Sequence, residues 1–240
     1  MSLSERMEAS SMEIQELKQI FITQQELYRF LSNVITLGPK KELLDRFQGV
    51  YSELIHEEAD DDNLVKGLIT IQMSLRGKDL ASYEAVLTRE YTRLFIGPGK
   101  PPVSPYASIY ISDEPKPRLM DESTIEVRKQ YLDANIVMAN MNSVPDDFLG
   151  AELEYINYLT IKSLEAIKNS ESEELGLFLL KQEDFISNHL ATWIPKFSER
   201  IFEFTSEDFF KGMALLLNGL INSHLAILED FKYSLKVFMD

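Results

Sequence analysis

Apolar residues recur along most of this chain at the spacing of an amphipathic helix. They follow one another every three or four positions, with polar residues between them, from about residue 13 to residue 96 and again from about residue 121 onward. No stretch shows the sustained alternation of apolar and polar residues between hairpin turns that is typical of strands. The sequence therefore predicts an all-α fold, a single bundle-like domain of about nine or ten helices.

Capping residues, glycines and prolines divide this pattern into separate helices. Before residue 97 they predict helices from the capping box Ser10–Glu13 to Gly38, from about Lys40 to Ile55, from Asp62 or Asn63 to Gly77, and from about Asp79 to residue 96. After residue 120 they predict a helix that opens at Ser123–Glu126 and contains Ile136 and Met138, one with Pro145 in its first turn, one that starts near Ser170, a run interrupted by Pro195, and a last helix opened by Thr205–Asp208.

A proline-rich stretch separates the two helical regions. Six of the nine prolines lie between Pro98 and Pro117, and a helix cannot continue through them because each ring removes an N–H and clashes with the preceding turn. Ser104-Pro105 has the form of an N-cap followed by proline at the first helical position, which predicts a short helix. The stretch is too apolar for a linker. We therefore expect an N-terminal helical half (1–96), an ordered connector (97–120) and a C-terminal helical half (121–240) in one globular unit.

The charge balance limits the classes of partner. A formal net charge of −15 repels nucleic acid and would attract a cationic peptide, although on composition alone solubility of a cytoplasmic protein is the preferred explanation. The longest uninterrupted apolar runs are too short to span a bilayer, and no segment pairs a basic start with an apolar export signal. We expect a cytoplasmic protein that does not insert into membranes.

The residues that carry most enzyme chemistry are missing or scattered. The chain has no cysteine, and its three histidines show no paired metal-ligand spacing. It contains no phosphate loop, dinucleotide fingerprint or Gly-x-Ser-x-Gly motif. His189, which precedes an apolar helical stretch, is interpreted as an imidazole at the edge of the core. The sequence predicts a protein that is not an enzyme and that uses no cofactor or metal.

Four carboxylates after residue 145 form the strongest acidic cluster, namely Asp146, Asp147, Glu152 and Glu154. The simplest interpretation is favourable charge beside the free N–H groups at a helix start. Two alternatives are general acid–base catalysis by the adjacent carboxylates and recognition of an arginine at the rim of an apolar groove. Tyr106 and Tyr110 lie on the connector, where a groove wall is plausible, whereas Tyr91 and Phe95 have the spacing of core residues.

Three motifs occur in order between residues 83 and 200. They are Tyr91-x-x-Leu94-Phe95-x-Gly97-Pro98 with Ser104-Pro105-Tyr106-x-Ser108-x-Tyr110, then Pro145-Asp146-Asp147 followed by Glu152-Leu-Glu-Tyr155, and Gln182-x-x-Phe185-x-x-x-His189-Leu-x-x-Trp193-x-Pro195. Together they closely resemble the signature of the TorD/DmsD family. This resemblance implies an all-helical, cytoplasmic chaperone that binds the twin-arginine signal peptide, or the apo form, of a DMSO/TMAO reductase-type molybdopterin oxidoreductase before export.

The resemblance also implies which residues bind the peptide. They are Tyr91, Leu94, Phe95, Gly97, Pro98, Pro105, Tyr106, Ser108, Tyr110, Pro145, Asp146, Asp147, Phe148 and Glu152. Members of the family typically have Glu before the Pro-Asp-Asp run and His after it, whereas this chain has Val144 and Phe148. Because neither side chain forms hydrogen bonds, a role that needs the imidazole cannot transfer.

Three other functions stay open at this stage. An assembly chaperone for a membrane-bound nitrate reductase belongs to the same superfamily. A nucleotide-dependent enzyme is a candidate of another class, because some members have been linked to weak guanine-nucleotide binding. The third open function is that of a helical scaffold that has lost peptide binding. In addition, the connector can serve as a hinge for helix exchange between two chains, which would give a homodimer.

Overall fold

The computed structural model describes residues 3–50, 63–112, 122–136 and 145–239, and these residues are almost entirely helical. The described part contains ten α-helices: α1 (Leu3–Leu37), α2 (Lys41–Val50), α3 (Asn63–Leu75), α4 (Leu80–Tyr91), α5 (Ser108–Ile111), α6 (Glu122–Asp133), α7 (Leu149–Asn169), α8 (Ser172–Phe185), α9 (Ala191–Phe204) and α10 (Asp208–Met239). A first π turn (Thr92–Ile96) extends α4, and a second π turn (Ile186–Leu190) joins α8 to α9. The all-α prediction is confirmed.

Local signals predicted the helices before the connector well. The Asp79 carboxylate accepts a hydrogen bond from the Ser82 N–H at 3.1 Å and so caps α4 as expected. The first helix, however, begins at Leu3, so the capping box at Ser10–Glu13 lies inside it and does not start it. The predicted end of α2 at Ile55 lies outside the described residues.

Several predicted boundaries after residue 96 are wrong. Ser104 caps no helix, because α5 begins only at Ser108, and Pro145 precedes α7 instead of lying in its first turn. Helix α6 ends at Asp133, so Ile136 follows the helix, and Met138 lies outside the described residues. Ser170 adopts a left-handed conformation and ends α7 instead of starting α8.

Pro195 does not interrupt its helix. It lies within α9, whose inner face buries Trp193, Phe197 and Ile201 completely. An interior proline costs about 3 kcal/mol, whereas each fully buried large side chain contributes roughly 1.5–3 kcal/mol. Burial of this face therefore outweighs the local penalty.

Two helix pairs hold the bundle together, and each pairs a helix that precedes the connector with one that follows it. The closest is α3 against α10, which run antiparallel with Leu64 beside Gly219 and Ile71 beside Gly212. A Cβ atom added to Gly212 would lie 2.8 Å from the backbone N of Ile71, and at Gly219 or Gly67 it would meet the facing backbone more closely still. The second pair is α1 against the start of α7. The division of the chain at the connector stays a prediction.

Within the described residues, one segment, Asp208–Lys232 of α10, is long and apolar enough to cross a membrane by length and composition. More than half of the most apolar stretch of this segment is buried inside the bundle. Because a core helix passes the same test, this is weak evidence for a membrane span.

Candidate functional site

The connector folds back onto the turn that precedes α7, and we call this contact the junction (Pro105–Ser108 and Pro145–Phe148). The Ala107 N–H donates to the Asp147 carbonyl at 3.0 Å, and the Leu149 N–H donates to the Pro105 carbonyl at 2.9 Å. Tyr106 and Phe148 form an isolated antiparallel bridge with their ring centroids 5.6 Å apart. The junction thus brings the first two sequence motifs together.

Asp147 caps a helix that lies elsewhere in the sequence. Its side chain is fully buried, and its Oδ2 accepts a hydrogen bond from the Ser108 N–H, the first residue of α5, at 2.9 Å. The expectation that this carboxylate lies beside the N–H groups of its own helix is therefore wrong. The negative charge instead anchors the connector to the turn before α7.

Asp146 is paired with an arginine inside the protein. Its side chain is almost completely buried, and its Oδ2 accepts a hydrogen bond from Arg128 Nε at 2.6 Å. The Tyr131 hydroxyl donates to the Asp146 carbonyl at 2.9 Å. The Arg128 side chain itself is 42% exposed. This carboxylate therefore already holds a guanidinium that solvent can reach.

Glu152 and His189 form a second, more deeply buried pair. The His189 Nε2 lies 2.6 Å from Glu152 Oε1, and Glu152 is fully buried. Burial raises the pKa of the Glu152 carboxyl, although His189 acts in the opposite direction. Burial lowers the pKa of His189, but the nearby carboxylates, Glu152 first and then Asp147 and Glu126, more than offset this and leave that pKa above its ordinary value. The pair links α7 to the second π turn.

The aromatic residues of the connector region pack mainly against the core. Tyr110 stacks on Trp193 with centroids 5.6 Å apart, and Phe95 stacks on Phe197 at 6.1 Å. The Tyr91 hydroxyl donates to the Ile35 carbonyl at 2.7 Å, so Tyr91 ties α4 to α1. Tyr91 and Phe95 thus lie where their helical spacing predicted.

This geometry holds the charges of three buried carboxylates, Asp146, Asp147 and Glu152, in place. Asp146 and Glu152 each have an ionic partner, and Asp147 Oδ2 accepts a hydrogen bond from the Ser108 N–H. Among the described residues no group of three or more His, Asp or Glu is arranged to hold a metal ion. The arrangement is that of a structural or binding site.

The comparisons with known proteins agree with the motifs. The family described as the nitrate reductase delta subunit matches residues 57–199. This chain belongs to that family. Its relatives include the protein named Chaperone protein TorD of Vibrio cholerae serotype O1, which is 27% identical over 222 residues, covering 90% of this chain and 97% of the relative. The TorD protein of Vibrio parahaemolyticus is 27% identical over 208 residues, covering 85% and 94%. The resemblance to TorD-like chaperones is confirmed.

The predicted site residues of this delta subunit family member fall into two groups. Pro105, Tyr106 and Ser108 meet Pro145–Phe148 at the junction, with Glu152 one turn into α7. The remaining predicted residues lie along the first π turn and against the core, where Leu94 is buried, Gly97 ends the π turn with φ 51°, and Pro98 is exposed. Peptide binding by either group stays a prediction.

Sequence reasoning missed the ionic partners of two predicted site residues. They are Arg128, which pairs with Asp146, and His189, which pairs with Glu152. Arg128 lies on α6, and no local pattern relates it to Asp146. His189 was treated only as a core-edge imidazole, although it is also the ionic partner of Glu152. The third motif includes His189 and Trp193, so this motif was the sequence feature that could have pointed to a role for His189 at the site.

We expect Asp147→Ala to release the connector locally. Loss of a hydrogen bond to a charged acceptor costs about 1.5–3 kcal/mol, which corresponds to roughly ten- to a hundredfold faster amide exchange at Ser108. Hydrogen exchange followed by NMR measures this rate directly. Asp146→Ala serves as the control, since the Asp146 side chain bonds to Arg128 on α6 and to no connector residue that the structure describes. Equal acceleration in both variants would show that Asp147 does not anchor this segment.

Proposed function

We propose that this protein is a cytoplasmic chaperone that assists the maturation of a molybdopterin oxidoreductase and has no catalytic activity of its own. The observation that carries the proposal is the similarity to proteins named Chaperone protein TorD over nearly the full length of both chains. The three ordered motifs support it, because two of them meet at the junction.

The ligand that we propose is the twin-arginine signal peptide of the client enzyme. Such a peptide has a basic stretch followed by an apolar one. A net charge of −15 favours its approach, and Asp146 supplies a carboxylate of the type that binds a guanidinium through two hydrogen bonds. In the proposed complex, one arginine of the peptide replaces Arg128 at Asp146.

Binding then requires local movement at the junction, because the Asp146 carboxylate is buried beneath Arg128. The Arg128 side chain is 42% exposed, and we propose that it leaves Asp146 when the peptide binds. The contact between Tyr106 and Phe148 is the part of the junction that we propose to open, whereas Val103, Ala107 and Tyr110 keep the rest of the connector packed against the core. We propose that the apolar part of the signal peptide takes the place of Tyr106 against Phe148.

We expect Arg128→Gln to strengthen binding of a twin-arginine signal peptide by roughly fivefold or more, since it removes the internal competitor for Asp146. Asp146→Asn should weaken binding by roughly tenfold. A labelled synthetic signal peptide, titrated by fluorescence anisotropy well below the melting temperature and at two salt concentrations, gives both values.

The matched control is Arg89→Gln, which makes the same charge change at an exposed position on α4 and should alter the affinity less than twofold. A peptide with lysines in place of both arginines should bind weakly to the wild type. If Arg128→Gln and Arg89→Gln have the same effect, attraction by diffuse charge explains the binding and the exchange at Asp146 is wrong. If no signal peptide binds above background, the proposed function fails.

An assembly chaperone for a membrane-bound nitrate reductase is the second candidate, favoured by the description of the matching family. The two candidates differ in the ligand. An assembly chaperone of this kind should retain an apo catalytic subunit that carries no twin-arginine signal, whereas a signal-peptide chaperone should lose its client when the signal is deleted. Co-purification with signal-deleted and intact clients therefore separates them.

A further inference from the structure

A cleft of about 380 Å³ lies between the connector and α9, beside the junction. One wall is the connector, with Pro101, Pro102 and Tyr110, and the other is the outer face of α9. Tyr110 is held in place by its stacking on Trp193 and by an edge contact with Phe197. The apolar part of the cleft is therefore rigid.

The charge of this cleft is opposite to that of the whole protein. Its lining contains Lys100, Lys196 and Arg200 against one carboxylate, Glu199, on a chain with a net charge of −15. Lys196 Nζ donates to the Tyr110 carbonyl at 3.0 Å, so its hydrogen bond is made to a neutral group. Arg200 donates to the Pro102 carbonyl at 2.9 Å and also pairs with Glu203 at 3.2 Å. The cleft keeps a local excess of positive charge.

The form of the cleft distinguishes between the anions that it can hold. A phosphate site commonly uses converging backbone N–H groups or a helix N-terminus. Here the connector wall contains prolines, which have no N–H, and the helical wall is the middle of α9. The cations are spaced along the cleft at Lys196 and Arg200, one helical turn apart, with Tyr110 opposite. This arrangement suits carboxylates distributed along a chain better than one compact phosphate.

We propose that this cleft binds an acidic segment of a protein partner, with carboxylates on Lys100, Lys196 and Arg200 and an apolar or aromatic side chain against Tyr110. The ligand is opposite in charge to a twin-arginine signal peptide, so the two bind at different places. The cleft would give the chaperone a second contact with a folded or partly folded partner, independent of the signal peptide. Two linked contacts bind more tightly than either contact alone.

The test uses the full chain and a labelled dodecapeptide in which glutamates surround a central leucine–tyrosine pair. The same peptide with glutamine at every glutamate position is the ligand control. We expect Lys100→Glu and Lys196→Glu each to weaken binding of the acidic peptide by roughly five- to tenfold. Lys168→Glu, an exposed lysine at the far end of α7, should change the affinity less than twofold.

Each outcome of the titration decides the proposal. Lys100 is exposed on the connector, so Lys100→Glu keeps the test valid even if Lys196→Glu unfolds the protein. The proposal is overturned if the glutamine peptide binds equally well, if Lys168→Glu matches the cleft variants, or if pyrophosphate binds at the cleft while the acidic peptide does not. Titration of the same variants with a twin-arginine signal peptide should show no more change than Lys168→Glu, so the two proposals can fail separately.

Discussion

Replacing Gly219 with alanine is expected to lower the free energy of unfolding by about 3 kcal/mol or more. The added methyl group would overlap the backbone N and Cα of Leu64 on the facing helix. A backbone cannot rotate away as a side chain can, so α3 and α10 would have to separate. Because Gly67 and Gly212 make similar close approaches in the same pair, the separation would loosen the entire contact.

Thermal and denaturant unfolding of the two alanine variants Gly219→Ala and Gly176→Ala measure this effect. For a chain of this size, the loss at Gly219 corresponds to a fall in melting temperature of roughly 6–12 °C. Gly176 lies inside α8 with no atom within 4 Å of an added Cβ. Alanine at Gly176 should therefore stabilise the protein by up to about 1 kcal/mol, through helix propensity alone. Equal melting temperatures for the two variants would show that the helices do not touch at Gly219.

Replacing His189 with leucine is expected to destabilise the protein by about 3–5 kcal/mol at neutral pH. The leucine leaves the Glu152 carboxylate buried with no ionic partner. Adding Glu152→Gln to this variant should restore most of the loss, because it removes the buried charge. Urea unfolding of the wild type, the two single variants and the double variant gives the coupling between the two residues. A double variant no more stable than His189→Leu would mean that packing against Phe185, and not charge, explains the loss.

The same pair predicts a pH dependence with a definite sign. His189 has a pKa raised above 6.5 in the folded state, so the folded protein holds this proton more tightly than the unfolded chain. The resulting stabilisation is complete below 6.5 and is lost as the pH rises through the raised pKa. The pKa of the Glu152 carboxyl is also raised, above 4.5, in the folded state. Its protonation therefore stabilises the folded protein too, and this stabilisation is likewise lost as the pH rises. The stability advantage of the wild type over the double variant should therefore shrink as the pH rises above 6.5.

Local patterns predicted the helices whose ends are set by their own residues. Asp79 caps α4 as expected, because both partners of that hydrogen bond lie within one turn. Ser104 failed as a cap, since the amide at the start of α5 is satisfied by Asp147 from a distant part of the chain. Pro195 failed as a helix breaker, since burial of the α9 inner face is decided by the whole bundle. The errors occur where tertiary contacts replace local ones.

The family resemblance grouped the connector with the Pro-Asp-Asp run, and the structure places the two segments in contact at the junction. Periodicity carries no such three-dimensional information, and the electrostatics of the junction did not follow from either. Peptide binding there stays a prediction. Of the four carboxylates proposed for a groove rim, only Glu154 is exposed. The other three are buried, with Arg128 on Asp146 and His189 on Glu152. Neither pairing follows from spacing, because the partners lie on different helices. The cleft that does open beside the connector is lined with cations.

The antiparallel contact between α3 and α10 also has a consequence for biosynthesis. Helix α3 is synthesised well before α10, whose Gly212 faces Ile71 in the folded bundle. The apolar face of α3 therefore stays without this native partner until helices α4 to α9 have been synthesised, and the bundle can close only after that. During that interval, a protein that we propose to be a chaperone for another protein itself exposes an apolar helix face.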